Sequence, residues 1–185
     1  MKWQGLGGIA SKKYICGYCD NKVASDRGYN TDLGSNSFIS ICPYCQKPSY
    51  FSPQYDQIPG IAAGNDVDSL PDDIDSLYRE ARNCVAVSAF TASVLTCRKL
   101  LMNIAVAQEA EAGKSFLFYV DYLANEGYVP PNGRGWVDHI RKKGNEANHE
   151  IALMSHEDAV ELISFAEMLM KFIYEFPAKI PLPPS

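Results

Sequence analysis

Four cysteines near the start of the chain occur as two C-x-x-C pairs with 22 residues between the pairs. Two residues between cysteines allow a tight turn that directs both sulfurs to one point, and two such turns supply four thiolates in a tetrahedron. In a reducing compartment this pattern is typical of a metal site rather than of disulfides. The spacing predicts one structural Zn²⁺, with no open position for catalysis, held by Cys16, Cys19, Cys42 and Cys45.

Aromatic and basic residues lie within and beside these cysteine pairs. Tyr18 and Tyr44 lie inside the two turns, and Lys12 and Lys13 precede the first. Aromatic rings interleaved with lysines can stack bases and hold phosphates, which makes these four residues candidate contacts for RNA or other single-stranded nucleic acid. The aromatic rings can equally pack a small core while the lysines keep it soluble. Both interpretations stay open at this point.

A second polar group lies near the C-terminal end of the chain. In a continuous helix, Arg141, Asn145 and His149 stand at positions i, i+4 and i+8, on one narrow strip. A guanidinium, a carboxamide and an imidazole that converge can grip a phosphate and move a proton, and the imidazole titrates near neutrality. Alternatively, Gly144 and Asn145 end the helix, and His149 caps it or satisfies a buried carbonyl.

The elements that must position these groups divide the chain into an α+β, multidomain arrangement. Residues 1–55 are rich in glycine and aromatics without a helical period, which predicts a small β-rich zinc ribbon. Residues 56–70 have the composition of a linker. An all-α helical bundle follows over 71–178, because apolar residues recur there at the helical period, and 179–185 form a tail.

Five helices are predicted in the bundle. The first begins near Pro71 with Ser69 as a possible cap, and the second, over about 90–110, is apolar nearly all round and is expected to be the most buried. The others cover about 115–125, 136–149, and from the Ser155 cap to just before Pro177. A second apolar row on the last helix predicts either extra core contact or a homodimer: Phe165, Met168, Phe172 and Phe176.

Charge and hydropathy restrict the possible partners and location. The net charge is −5, yet residues 1–55 carry six basic and three acidic side chains, so a nucleic-acid contact must be local. The sequence shows no secretory signal, and its longest weakly polar run is too short to span a membrane. We expect a soluble, cytoplasmic protein without membrane contact.

The helical part resembles a known family. The block LYREARNCVAVSAFTASVLTCRKLL, then GNEANHE, then SHEDAVELISFAEMLMKFIYEFP, resembles a bacterial domain of unknown function (DUF4145-like) found with restriction and phage-defence proteins, over about 77–177. An N-terminal zinc ribbon is similar to that of some members. The family resembles, distantly, the HEPN domains, helical bundles that often dimerise and often act as metal-independent RNases through an arginine and a histidine.

That resemblance implies roles for the second polar group. Arg141 and His149 would take the places of the arginine and histidine, and Asn145 the polar place between them, although seven residues separate the first two, one more than the motif allows. Three functions remain: a binding or adaptor protein acting on nucleic acid or a defence-system partner, a HEPN-like endoribonuclease, and a structural assembly module. No phosphate-binding loop, dinucleotide-binding glycine pattern or nucleophile elbow supports other enzyme classes.

Overall fold

The computed structural model describes residues 3–31, 36–130, 133–149 and 153–180, without the side chains of Arg134 and 143–149. The chain divides into two compact units, a sheet unit (1–62 with 86–88) and a helical unit (63–85 with 89–185). The predicted order, a β-rich part followed by a helical part, is confirmed.

The sheet unit is a five-stranded antiparallel meander. Its strands pair in chain order, each with the next, so both edges of the sheet are formed by terminal strands. The strands are β1 (Gly7–Ile15), β2 (Lys22–Asn30), β3 (Phe38–Ile41), β4 (Pro48–Phe51) and β5 (Gln57–Ile58).

The meander brings the two cysteine turns to one end of the sheet. The first turn joins β1 to β2, where Ile15 pairs with Lys22, and the second joins β3 to β4, where Ile41 pairs with Pro48. Alternate turns of an antiparallel meander fall at the same end. Behind them lies a very small buried core, which consists of Tyr14, Cys16, Cys42 and Phe51.

The helical unit has a much larger core. Helix α2 lies at its centre and packs against α3, α4 and α5 through completely buried residues such as Leu100, Leu101 and Ile104. The helices are α1 (Asp72–Ala86), α2 (Phe90–Ala107), α3 (Phe116–Asn125), α4 (Arg134–His149), α5 (His156–Met170), a π-helical turn (Lys171–Glu175) and α6 (Phe176–Lys179).

The helix ends agree with the sequence in part. Ser155 caps α5 in a full capping box with Asp158. Ser69, in contrast, has a φ of +62° and lies outside α1, whose first residue is Asp72. The helical conformation also continues past Pro177, although the last helix was predicted to end just before it. The preceding π-helical turn resets the hydrogen bonding and places this proline in the first turn of α6.

The C-terminal half of the segment predicted as a linker packs on the helical unit. Val67 is buried in the helical core. The guanidinium of Arg82, itself buried, donates to the carbonyls of Ala63 (2.8 Å) and Gly64 (3.1 Å) and pairs with Asp66. The guanidinium presents its N–H groups in a fixed geometry. Here they bond two consecutive backbone carbonyls that would otherwise bond to water. Residues 63–66 are therefore held in place by Arg82 of α1.

Within the described part of the chain, α2 is long and apolar enough to cross a membrane by length and composition. Core helices of water-soluble proteins pass the same test, and 44% of this helix is buried inside the fold. Its apolar character is accounted for by its central place in the bundle.

The contacts of Arg82 predict a large difference between two arginines one turn apart on α1. Arg82→Met should lower the free energy of unfolding of the helical unit by about 2–3 kcal/mol, because the charge-assisted hydrogen bonds of a buried guanidinium to two backbone carbonyls are lost. Arg79→Met removes only an exposed pair with Asp75 and should cost about 0.3–0.5 kcal/mol. Urea unfolding followed by circular dichroism measures both, and equal effects would contradict the role assigned to Arg82.

Candidate metal centre and nucleic-acid interface

The two cysteine turns have the same backbone structure. The carbonyl of Cys16 accepts the N–H of Asp20 (2.9 Å), and the carbonyl of Cys42 accepts the N–H of Gln46 (3.0 Å). Asp20 and Gln46 have φ values of +54° and +61°. In both turns the N–H of the first cysteine is also bonded, at 3.0 Å, to the carbonyl five residues later. Each turn is thus closed at its ends, which directs its two sulfurs to one side.

The four sulfurs converge as the spacing predicts. The Sγ atoms of Cys16 and Cys45 are 3.7 Å apart, those of Cys19 and Cys42 are 3.9 Å apart, and all four lie within 4.8 Å of one another. Sulfurs bound at about 2.3 Å to one tetrahedral ion stand about 3.8 Å apart. A disulfide would need about 2.05 Å. These four residues therefore can hold one metal ion.

The site is buried on one side and open on the other. Cys16 and Cys42 are completely buried, and Cys19 and Cys45 are half-buried. Burial raises the pKa of the Cys16 thiol to about 12. Burial also acts to raise the pKa of Cys19, but hydrogen bonds from Asn21 outweigh it and lower that pKa to about 7. Because bound thiols lose their protons, metal binding must release protons and weaken as the pH falls.

Gly17 is required by close packing at the first turn. A Cβ atom on this residue would lie less than 3.0 Å from the carbonyl oxygens of Pro59 and Gly60. The residue at the same place in the second turn is Pro43. The two turns share the two hydrogen bonds that close them, and the first has an additional one from the N–H of Cys19 to the carbonyl of Cys16 (3.3 Å). The segment that approaches Gly17 is distant in the chain, so local sequence does not reveal this contact.

The candidate aromatic residues are exposed beside the metal site. Tyr18 is 47% exposed and Tyr44 is 75% exposed, although each lies between two metal-binding cysteines. The ammonium of Lys47, at the end of the second turn, lies 4.8 Å from the centre of the Tyr18 ring in the first turn. This arrangement brings two exposed rings to the metal end of the sheet and places the cation of Lys47 beside one of them, Tyr18.

The two upstream lysines have different environments. The ammonium of Lys12 lies 4.2 Å from the ring centre of Tyr55 and 4.9 Å from that of Phe51, which are cation–π contacts within the sheet unit. Lys13, its neighbour in β1, is exposed and points to the other face of the strand. These two lysines, both predicted as nucleic-acid contacts, thus lie on opposite faces of β1.

Three buried hydroxyl groups adjoin the cysteine cluster. Ser40 and Ser49 are completely buried and directly paired across β3 and β4, and Tyr14 is 7% exposed. Burial raises the pKa of Tyr14, the nearness of both serine hydroxyls opposes this, and the nearby sulfurs of Cys42 and Cys16 raise it further. By the geometry of an ordinary hydrogen bond, none of the three hydroxyls has a partner among the described groups.

Of the predicted group of Arg141, Asn145 and His149, the structure describes the backbone of all three residues and the side chain of Arg141. Helix α4 continues through all three positions, so Gly144 does not end it. The side chains of Asn145 and His149 lie outside the described residues. The guanidinium of Arg141 pairs with Asp121 of α3 and, at 2.9 Å, with Asp138 of α4. Arg141 therefore links α4 to α3. A phosphate would have to compete with two carboxylates for its guanidinium.

His139, which was not among the residues selected from the sequence, makes an ion-pair contact on α4, the helix that carries Arg141. Nε2 of His139 on α4 lies 2.6 Å from Oε2 of Glu161 on α5, and both side chains are about half exposed. The sequence carries no signal for this pair, because its two members lie on different helices.

Comparison with known proteins gives one match. The family model described as "Domain of unknown function (DUF4145)" matches residues 79–181, which is more than half of the 185-residue chain. No curated protein and no solved structure matches the chain.

The convergence of the sulfurs predicts one metal ion per chain. Cys16→Ser should abolish stoichiometric binding, because it removes a completely buried ligand. Cys84→Ser, which changes a half-buried cysteine of α1 outside the cluster, should leave one ion bound. Elemental analysis of the purified full chain measures both. Full metal content in Cys16→Ser would contradict the site.

Proposed function

The chain belongs to the DUF4145 family of domains of unknown function, and from that premise we propose that it is a zinc-dependent binding or adaptor protein. Its sheet unit is a zinc ribbon that contacts single-stranded nucleic acid, and its helical unit carries the partner contacts. The observation that supports this most directly is the exposure of Tyr18 and Tyr44 on the two turns that share one metal site.

Zinc is the ion that suits this donor set. Four thiolates in a tetrahedron are a soft, closed ligand set, which favours Zn²⁺ in a structural role and leaves no position for a substrate or an activated water. The residues that hold it are Cys16, Cys19, Cys42 and Cys45. The ion supplies folding free energy and fixes the two turns relative to each other.

The nucleic-acid contact follows from that fixed geometry. Because both tyrosines lie inside turns that the ion joins, metal binding sets the distance between their rings. Base stacking on aromatic rings is tolerant of sequence, and Lys47 beside Tyr18 supplies a positive charge for the phosphate backbone. The +3 charge of residues 1–55 falls to +1 when four thiolates surround a dication, so the contact is short and local.

The helical unit is proposed to contact a protein partner. Phe172 and Phe176 on the last helical segment are 48% and 44% exposed, with ring centres 5.4 Å apart, whereas Phe165 in the same predicted row is buried. A homodimer whose interface contains these two exposed rings fits the proposed adaptor function. The proposed role in phage defence or restriction rests on the family resemblance alone. The proposed cytoplasmic location rests on the cysteine pattern and hydropathy of the sequence.

A HEPN-like ribonuclease is the second candidate, and the continuity of α4 through Arg141, Asn145 and His149 favours it. In that mechanism His149 takes the proton of a ribose 2′-hydroxyl, Arg141 stabilises the charge that develops on the phosphorane, and Asn145 orients the phosphate. The pairing of Arg141 with Asp121 and Asp138 makes this the weaker proposal, since one carboxylate must release the guanidinium first.

The stacking proposal predicts that both tyrosines of the turns contribute to affinity. Tyr18→Ala with Tyr44→Ala should weaken binding of a short single-stranded RNA or DNA at least about tenfold, since each stacked base contributes about 1–3 kcal/mol. Binding by the wild type should also weaken as salt increases. Fluorescence anisotropy with labelled oligonucleotides measures this.

The matched control is Tyr50→Ala, which changes an exposed tyrosine of the same sheet outside both turns. Equal affinity in the double variant and the wild type would remove the stacking proposal. Cleavage of the bound RNA that disappears in His149→Ala would support the ribonuclease in its place.

A further inference from the structure

A cavity of about 230 Å³ lies in the sheet unit beside the second cysteine turn. It lies where strands β2 and β3 separate. Their described ladder ends at the pair of Gly28 with Ser40. Nearer the cysteine turns, the hydroxyl of Ser25 donates to the carbonyl of Ile41 at 2.7 Å. A side chain thus bridges the two strands there, and a space is left between them.

The segment that precedes β1 contributes to the wall of this cavity and is fixed at two points. The indole N–H of Trp3 donates to the carbonyl of Gln46 in the second turn (2.7 Å), and the hydroxyl of Tyr29 on β2 donates to the carbonyl of Gln4. Leu6 of the same segment lines the cavity. The cavity is therefore formed before any ligand binds, as is usual for sites that bind small groups.

The lining of the cavity suits one flat ring with a polar edge. Leu6, Ile41 and Pro43 supply apolar atoms against which a ring can pack. Asp26 supplies a carboxylate, which accepts hydrogen bonds from N–H groups at the edge of a ring. Pockets for drug-sized ligands have volumes of about 300–1,000 Å³. This cavity is smaller, so it fits a single base better than a large cofactor.

Three cationic side chains lie at or beside the cavity. Ala24, which lines it, is paired across the strands with Lys13, and Lys22 lies two residues before Ala24 on the same face of β2. Arg27 lines the cavity itself. All three cations are exposed, and within the described residues none makes an ion pair or a cation–π contact. They are thus available to hold a phosphate next to the cavity.

We propose that this cavity binds one base of the single-stranded nucleic acid, and that Lys13, Lys22 and Arg27 hold the phosphate beside that base. Pro43 of the cavity directly precedes Tyr44 in the chain, and the Tyr44 ring is exposed. A strand that stacks one base on this ring can therefore place a nearby base in the cavity. The inference rests on the nucleic-acid part of the proposed function and extends the contact onto β1 and β2.

Ala24→Leu tests the cavity, because it fills part of the space and leaves every charge in place. We expect it to weaken binding of a labelled single-stranded RNA or DNA of about ten nucleotides by about 5- to 100-fold, the contribution of one bound base. The control is Ala10→Leu, the same change at an exposed position of β1 outside the cavity, which should leave the affinity unchanged. Fluorescence anisotropy with the full chain measures both, and metal content shows whether the sheet unit is intact.

Lys13→Gln with Lys22→Gln tests the cations by a second measurement. We expect the slope of log affinity against log salt concentration to become shallower by at least about 0.7, the contribution of one neutralised phosphate in a single strand. Lys99→Gln with Lys142→Gln, which removes two exposed cations of the helical unit, should leave the slope unchanged. The Lys13 and Lys22 double variant decides the matter if Ala24→Leu does not retain its metal.

Wild-type affinity in Ala24→Leu, or an unchanged salt slope in the double lysine variant if that is the one that retains its metal, would overturn the inference. If Tyr18→Ala with Tyr44→Ala still weakens binding in that case, the proposed function stands without the cavity. If the wild-type chain binds no oligonucleotide, the nucleic-acid proposal and this inference fail together.

Discussion

The convergence of four sulfurs at one end of a small sheet is the constraint on which the first unit depends. In the part of this unit that the structure describes, the cluster of buried apolar side chains consists of Tyr14, Cys16, Cys42 and Phe51, and two of these are proposed metal ligands. So little apolar burial cannot offset the conformational entropy of ordering about sixty residues. The structural zinc ion that we propose would contribute about 10–16 kcal/mol of apparent binding free energy at neutral pH, which is enough to supply the missing term.

In the described part of the helical unit, no comparable cluster of metal-binding side chains occurs. Its hydrophobic core is continuous across α1 to α5. Arg82 holds the backbone carbonyls of Ala63 and Gly64, and Arg141 joins α4 to α3 through Asp121. These two arginines thus act as links between elements. This difference is why the proposed nucleic-acid contact lies on the sheet unit.

The sequence predicted what depends on local spacing and missed what depends on distant contacts. Two C-x-x-C pairs are enough to predict the four ligands, and the Ser155 cap is visible because its partner is three residues away. The chain passes Pro177 because of a π-helical turn that no local pattern indicates. Local sequence does not reveal the contact of Lys12 with Tyr55 or the pairing of Arg141 with Asp121 of α3, because these partners are distant in the chain. The functions suggested for both residues stay predictions.

Residue-resolved hydrogen exchange on the full chain, before and after removal of the metal by a chelator, tests the central claim most directly. If the ion holds the sheet unit together, amides of β1 to β4 lose their protection on chelation, while amides of α2 and α5 keep theirs. Sheet amides that remain protected in the metal-free chain would show that the sulfurs converge without supporting the fold, which would contradict a metal-dependent sheet unit.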